Sequence, residues 1–477
     1  MKALKERSIT SSFYNITTQS VLLITSLIRS IVLARLLAPE DFGVYVFALS
    51  VVTILLLIPN SWLSGPFLHH SEFSKGEKGA STHFTLNLSI NLVWLVLTLS
   101  ISSLFLSPNQ WPIFAVLLIA GFFKEITNTH RLILVKRVLF KRIALIELII
   151  SICEASCAIA LAYLGFGVWS LVSINVTTAI VSLVAYFLIK PVWRMRFSWQ
   201  RDSIRYFYQF GRNTFVAGML GVLLDRVDDL WTGYFLGPTA LGYYSRAYQF
   251  ATYPRKMLAQ PLNSVAAGTY AELKGNRSKL SSAFQQFNTV IVRAGFAVSG
   301  LLVTIAPEFI QLLLGEKWMP MLETFRLMLV FSMFDPMVVT VASVLVAEGK
   351  PNKVGQARFV QLVVLIIGMI ILAPRLGITG VALAVDIMLF VGISLLFYFA
   401  SHYVDFSLRK LFLVPLIGLI IGFGITISMP TLDNLVVSMI YKAAIFGFIY
   451  LGTLMIFEWK LVKELFVQMK EIFRARE

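Results

Sequence analysis

Apolar stretches of about 20 residues or more recur fourteen times along the chain, separated by short polar connections. Their approximate limits are 12–37, 42–64, 82–106, 112–134, 143–164, 167–189, 210–236, 240–262, 284–306, 321–346, 355–373, 379–400, 411–429 and 435–457. Each is long enough, as a helix, to cross the ~30 Å hydrocarbon core of a bilayer. Lipid offers no partner to a backbone N–H or C=O, so only helices and closed barrels span it. Barrel strands are segments of about ten alternating residues, and these runs are longer and uniformly apolar. The pattern predicts an all-α polytopic membrane protein of 14 transmembrane helices.

The pattern also repeats. Leu37-Ala-Pro-Glu-Asp-Phe-Gly-Val-Tyr45 joins the first two spans, and Leu236-Gly-Pro-Thr-Ala-Leu-Gly-Tyr-Tyr244 joins the seventh and eighth. A second echo pairs Leu164-Gly-Phe-Gly-Val-Trp169, between spans five and six, with Leu376-Gly-Ile-Thr-Gly-Val381, between spans eleven and twelve. Pro and Gly in one such turn need no more than turn geometry to explain them. Two echoes in matching order, six spans apart, predict a duplication. Six is even, so the copies share one orientation, as a parallel repeat. The expected organisation is a six-helix bundle over 1–205, a second over 206–402, and two added spans with a tail over 403–477. Such halves suit an alternating-access transporter.

Charge adds sidedness. Of 41 Lys and Arg, 28 fall at the termini and in alternate connections, and only Lys317 and Arg375 fall in the others. The positive-inside rule then puts both termini in the cytoplasm. The net charge of +16 reads as this orientation signal and as affinity for anionic lipid headgroups. It does not read as a nucleic-acid surface, which would gather on a soluble face. The first apolar run carries Arg29 and Arg35 and lacks a small-residue cleavage site, so it reads as a span and not a cleaved signal. After the last span, Leu461, Val462, Leu465, Phe466, Met469, Ile472 and Phe473 recur at helical spacing among basic residues, the pattern of an interfacial amphipathic helix. Cys153 and Cys157, the only cysteines, read as packing residues.

Charges inside the spans bear on mechanism. Each costs ~2.5–3.5 kcal/mol at mid-membrane on insertion scales, so each needs a partner or a wet cavity. The seventh span is densest, with Leu224-Asp-Arg-Val-Asp-Asp-Leu-Trp231. Asp225, Asp228 and Asp229 lie towards one side of that helix, and Arg226 stands three residues from Asp229. One Arg cannot neutralise three carboxylates, which makes the cluster a candidate H+ or Na+ coupling site. A self-neutralising structural cluster is the competing reading. Glu125, Glu154 and Asp386 are further coupling candidates. Arg29, Arg35, Lys124, Arg131, Arg226 and Arg293 are candidate cations for an anionic group, which Arg binds through a planar fork. Asn87 and Asn91 follow His83 at i+4 spacing in the third span and suit a polar headgroup. Within the spans 11 cations face 9 acids, so the region is close to neutral. No Gly-Lys-Ser/Thr nucleotide loop and no catalytic constellation is visible, and His69 and His70 near Glu72 are a weak metal signal.

Four stretches carry a family resemblance: Leu33-Ala-Arg-Leu-Leu-Ala-Pro-Glu-Asp-Phe-Gly43, Asp225-Arg-Val-Asp-Asp-Leu-Trp231, Phe235-Leu-Gly-Pro-Thr-Ala-Leu-Gly-Tyr-Tyr-Ser245 and Ala306-Pro-Glu-Phe-Ile-Gln-Leu-Leu-Leu-Gly-Glu-Lys-Trp318. With them the chain resembles the Wzx-type polysaccharide flippases of the multidrug/oligosaccharidyl-lipid/polysaccharide (MOP) exporter superfamily, and is most similar to their WzxC-like branch. The resemblance implies a non-enzymatic protein of the bacterial inner membrane. It implies movement of an undecaprenyl-diphosphate-linked oligosaccharide from the cytoplasmic to the periplasmic leaflet, for lipopolysaccharide, O-antigen or exopolysaccharide synthesis. It implies no cofactor beyond a coupling H+ or Na+. The implied partners are the lipid-linked oligosaccharide, membrane lipids, and a polysaccharide polymerase with its chain-length machinery. A multidrug antiporter of the same superfamily is one alternative. A membrane polysaccharide polymerase or ligase is another, disfavoured because the longest external connection is about 14 residues.

Overall fold

The computed structural model describes residues 2–60, 62–69, 77–189, 191–430 and 432–474, and within them the regular structure is helical throughout. Eleven helical runs among the described residues are long and apolar enough to cross a membrane. The expected all-α polytopic fold is therefore present. The chain divides into two compact units, 1–245 and 246–477.

The first unit holds α1 (Lys2–Leu36), α2 (Pro39–Asn60), the short α3 (Ser64–His69), α4 (Glu77–Phe105), α5 (Trp111–Lys136), α6 (Phe140–Tyr163), α7 (Val168–Leu183), α8 (Arg201–Phe235) and the start of α9 (Pro238–Glu272). Helix α1 packs on α6, α6 on α7, α5 on α7 and α2, and α8 on α2. Local chemistry sets the helix ends. Pro39 opens α2, where its missing N–H costs nothing, and Asp41 accepts a hydrogen bond from the Ala38 N–H at 3.0 Å.

Alternate connections gather at opposite ends of this unit. At one end Asp41 lies 3.2 Å from where a Cβ on Gly167 would stand. At the other, Arg142 donates to the Ile189 carbonyl at 2.8 Å and Arg137 to that of Val192 at 3.3 Å. The second end carries the basic residues, as the charge pattern requires.

The second unit holds the rest of α9, α10 (Arg277–Thr304), the single turn α11 (Ala306–Phe309), α12 (Leu322–Ala347), α13 (Pro351–Ala400), α14 (Leu408–Ile427) and α15 (Leu435–Arg474). The 50-residue run of α13 is broken at Gly377, whose φ of 59° and ψ of −138° suit glycine and disfavour other residues. Its arms fold back on each other: a Cβ on Gly368 would stand 2.9 Å from the Ala384 side chain, and one on Gly392 2.0 Å from Gln361. The break falls in the Leu376-Gly-Ile-Thr-Gly-Val381 turn read from the sequence. At the basic end Arg277 pairs with Asp405 at 2.7 Å, and the Gly275 N–H donates to Glu348 at 3.4 Å.

Two buried ion pairs fasten α15. Near its start Lys442 donates to Glu308 at 2.6 Å and Ser438 donates to the same oxygen at 2.9 Å. Near its bend at Glu458, Arg293 grips that carboxylate through Nε at 2.7 Å and Nη2 at 2.5 Å. Arg293 also donates to the Lys410 carbonyl at 3.2 Å, and the Tyr450 hydroxyl donates to the Arg293 carbonyl at 3.0 Å. The Arg293 and Glu458 side chains are only 8% and 14% exposed. Removing one partner strands the other charge in a dry site, at about 3–5 kcal/mol. Arg293→Ala is therefore expected to lower the thermal unfolding midpoint in detergent. Arg293→Lys, which keeps the charge and loses the fork, should recover part of it. An Arg293→Ala midpoint equal to the parent's would remove the pair from the fold's support.

The cysteines Cys153 and Cys157 are free and half-buried. His70 and Glu72 lie outside the described residues, as do the tail side chains Leu461, Val462, Leu465, Phe466, Met469, Ile472 and Phe473.

Candidate functional site

A polar cluster forms where α8 lies against α2. The apolar stretch of α8 is interrupted by Asp225-Arg-Val-Asp-Asp229, and packing against α2 buries two of these carboxylates, leaving Asp228 7% and Asp229 8% exposed. Asp229 accepts from the Ser50 hydroxyl of α2 at 3.0 Å and from Arg226 at 3.2 Å. Asp228 accepts from the Tyr244 hydroxyl at 2.6 Å and from the Asp229 backbone N–H at 2.9 Å. Tyr244 reaches it because the chain reverses after α8 and begins α9 at Pro238, so two turns of α9 bring the phenol alongside. Asp225, grouped with these two by helical spacing, is exposed. The buried carboxylates sit in contact with one guanidinium, a phenol and a hydroxyl, a set able to exchange a proton or hold a monovalent cation.

A second polar site joins three helices. Arg29 of α1 pairs with Glu154 of α6, which also accepts from the Thr178 hydroxyl of α7. The sequence assigned Arg29 to substrate and Glu154 to coupling, and the fold makes them partners.

The asparagines build a third. Asn87 donates to the Glu125 carbonyl at 2.7 Å, and Asn91 donates to the side-chain oxygens of Asn60 at 2.9 Å and Asn87 at 2.8 Å. The Glu125 carboxylate accepts from Asn128 at 3.4 Å. Lys124 and Arg35 are exposed, and Arg131 is an exposed partner of Glu147 at 3.3 Å. In the second unit Arg293 is held by Glu458, as described, and Asp386 is buried on the second arm of α13 with one carboxylate oxygen unpartnered. Among the described residues no three potential metal ligands converge.

Sequence reasoning missed Ser50, Thr178, Asn60 and Tyr244. Only Tyr244 carried a signal, because it closes the repeated Leu-small-Pro motif. Its counterpart Tyr45 accepts from Asn175 of α7 at 2.8 Å.

The two copies of that motif also pack on each other. A Cβ on Gly43 would stand 1.7 Å from the Pro238 carbonyl oxygen, and a Cβ on Gly242 would stand 1.9 Å from that of Pro39. Each motif glycine thus admits the other motif's proline carbonyl, in a reciprocal backbone contact that any side chain would break. It lies at the cation-poor end, less than four helical turns from Asp229 along α8.

A family model described as "Polysaccharide biosynthesis protein" matches residues 32–323. The chain belongs to that family. It is 21% identical over 354 residues to the lipopolysaccharide biosynthesis protein WzxC of Escherichia coli (strain K12), covering 73% of this chain and 71% of that one. It is 26% identical over 301 residues to the succinoglycan biosynthesis transport protein ExoT of Rhizobium meliloti (strain 1021), covering 60% of this chain and 58% of that one. In fold this family member is similar to the lipid II flippase MurJ in an inward closed conformation, with a TM-score of 0.74, 16% identity, and 95% and 100% of the two chains covered. It is also similar to an inward-facing multidrug resistance MATE family transporter of the MOP superfamily, with a TM-score of 0.64, 16% identity, and 82% and 97% covered. The likeness to these two transporters is one of fold, on a polytopic membrane protein.

Proposed function

We propose that this protein is a flippase of the bacterial inner membrane. It carries an undecaprenyl-diphosphate-linked oligosaccharide from the cytoplasmic to the periplasmic leaflet by alternating access. Counting the two arms of α13 separately and adding α8 and α9 to the eleven apolar runs gives fourteen spans. Twelve of them form the six-plus-six repeat over 1–205 and 206–402. The basic ends and both termini are cytoplasmic, and the cation-poor end is periplasmic.

The observation that carries this reading is the reciprocal contact of the two repeat motifs above the charged cluster of α8. A close-packed contact between duplicated elements is a device with two states, made or broken. Made, it closes the periplasmic end over the cluster, and broken, it opens that end. Membership of the polysaccharide biosynthesis family supports a saccharide-bearing cargo. Arg226 and Arg29 receive the diphosphate, each exchanging a carboxylate partner for it. Asn87 and Asn91, each 2% exposed here, meet the sugars together with Asn60 only when the helices around them part. Arg35, Lys124 and Arg131 serve the approach of the anion, while Arg293 acts through the fold. Asp228 and Asp229 exchange the coupling H+ or Na+ when cargo engages Arg226, with Asp225, Glu125, Glu154 and Asp386 as secondary groups. The product is then available to a polymerase and its chain-length machinery.

The buried acidic pair favours one competing reading, an antiporter for cationic drugs. Binding separates the two. The purified protein should bind a defined lipid-linked oligosaccharide more tightly than the same lipid diphosphate without sugar, and should bind lipophilic cations weakly. Arg226→Ala should weaken binding about 10- to 100-fold, the value of one charge-assisted hydrogen bond at about 1.5–3 kcal/mol. Preference for the cations, with no response to Arg226→Ala, would favour the antiporter.

A further inference from the structure

Two apolar cavities of the first unit adjoin along α2 and α4 and together make an apolar track. The larger, about 750 Å³, lies among α2, α4, the start of α5 and the end of α8. The smaller, about 350 Å³, lies among the same α2 and α4 and the start of α8. Trp94 lines both and joins them. Lining positions on α2 and its following turn run from Val44 to Trp62, about 27 Å at 1.5 Å per residue, close to the ~30 Å of a hydrocarbon core.

The walls offer little to a hydrogen-bonding ligand. The Trp94 indole donates to the Leu55 carbonyl at 2.9 Å, the Thr98 hydroxyl to the Trp94 carbonyl at 2.7 Å, and the Ser102 hydroxyl to the Leu99 carbonyl at 3.0 Å. Each of these three polar side chains in the middle of the track thus donates to a backbone carbonyl, the indole to that of α2 and the two hydroxyls within α4. Amphipathic groups stand at its two ends, Tyr208 at one and Tyr234 at the other, 64% and 76% exposed, as suits the two membrane interfaces. The track also borders the charged cluster. Val51 of its wall follows Ser50, the partner of Asp229, and Gly233 of its wall is one turn from Asp229.

We infer that this α2–α4–α8 track holds the long hydrocarbon chain of the cargo lipid while its anionic head occupies Arg226. The inference rests on the flippase reading. Bulk phospholipid would find apolar walls anywhere on the protein's surface. A chain whose head is bound at α8 finds this track one turn away, and the track spans the full depth that the head must cross. The chain can stay in contact with one surface as the head moves between leaflets.

The test is photo-cross-linking of the full-length protein in vesicles. The probe is an oligosaccharide-linked polyprenyl diphosphate carrying a diazirine in its chain, with peptide mapping and a parallel flip measurement. Labelling is expected on α2 and α4 at Val51, Leu97 and Ile101, and unlabelled polyprenyl diphosphate should suppress it while added phospholipid does not. Leu97 and Ile101 are 48% and 55% exposed, so a larger ring there fills the track without displacing packed neighbours. Leu97→Trp and Ile101→Trp should each reduce labelling and flipping at least tenfold while the unfolding midpoint holds. Suppression by phospholipid would mean bulk lipid occupancy and overturn the assignment. A parent that flips the probe but labels on other helices would overturn the track alone. A parent that neither flips nor binds the probe would overturn the flippase reading and the track with it.

Discussion

Alanine at Gly43 is expected to hold the cation-poor ends of α2 and α9 apart and to cut transport by roughly a hundredfold, the effect of destabilising one of two required states by about 3 kcal/mol. Its Cβ would stand 1.7 Å from the Pro238 carbonyl oxygen, where ordinary contact begins near 3.4 Å. The obstacle is backbone on an opposing helix start, so no side-chain rotation relieves it. Gly242→Ala should act alike, because its Cβ would stand 1.9 Å from the Pro39 carbonyl oxygen. Gly221, on α8 with nothing within 4 Å of a Cβ, is the control. Alanine there adds about 0.5–1 kcal/mol of helix stability and should leave transport intact. The state is read by labelling a cysteine placed at Ser245, buried one turn beyond Gly242, with a membrane-impermeant maleimide from the cation-poor side, in a background without Cys153 and Cys157. Labelling should rise in Gly43→Ala and Gly242→Ala and stay unchanged in Gly221→Ala. Normal transport and labelling in Gly43→Ala would show that the motif contact is no closure.

Asparagine at Asp229 is expected to separate coupling from cargo passage. The substitution keeps size and shape, removes the charge, and weakens the contacts to Arg226 and Ser50. Gradient-driven transport should fall about 10- to 100-fold, the worth of one hydrogen bond to a charged group. Exchange of cargo at equal concentration should persist within about threefold, since it needs no stored gradient. The dependence on pH or Na+ should flatten, because the group that binds the ion is gone. Asp228→Asn should behave similarly. Tyr244→Phe, which removes one donor to Asp228, should give a smaller loss. The measurement is flux in vesicles under an imposed H+ or Na+ gradient. Unchanged gradient dependence in both Asn variants would make the cluster structural and move coupling to Glu125, Glu154 or Asp386.

The helices were legible because lipid imposes one solution on a 20-residue apolar run, and the basic connections because their charge cannot cross. The fold-back at Gly377 was legible too, since Leu376-Gly reads as a turn inside an otherwise continuous apolar run. Pairing between distant helices was not. Arg29 and Glu154 are 125 residues apart, and Arg293 and Glu458 are 165 apart. Local spacing cannot say that the first pair joins α1 to α6, or that the second makes Arg293 a fastening for α15. Arg293 looked like a cargo cation only because its partner was out of view. Asp225 looked equivalent to Asp228 and Asp229 because helical spacing alone does not say what packs on a face. The repeated motif shows the converse case. Its duplication could be read directly, but its packing against its own copy depends on two glycines meeting two carbonyls in space.

Leaflet transfer tests the central claim most directly. The protein is reconstituted into vesicles holding a lipid-linked oligosaccharide, and the sugar exposed on the outside is followed with an impermeant oxidant or lectin. Inner-leaflet sugar should become accessible in a protein-dependent manner, and Gly43→Ala should abolish the transfer with the protein still folded. Sugar that stays inaccessible with the folded parent protein, alongside uptake of a lipophilic cation under a gradient, would contradict the flippase reading.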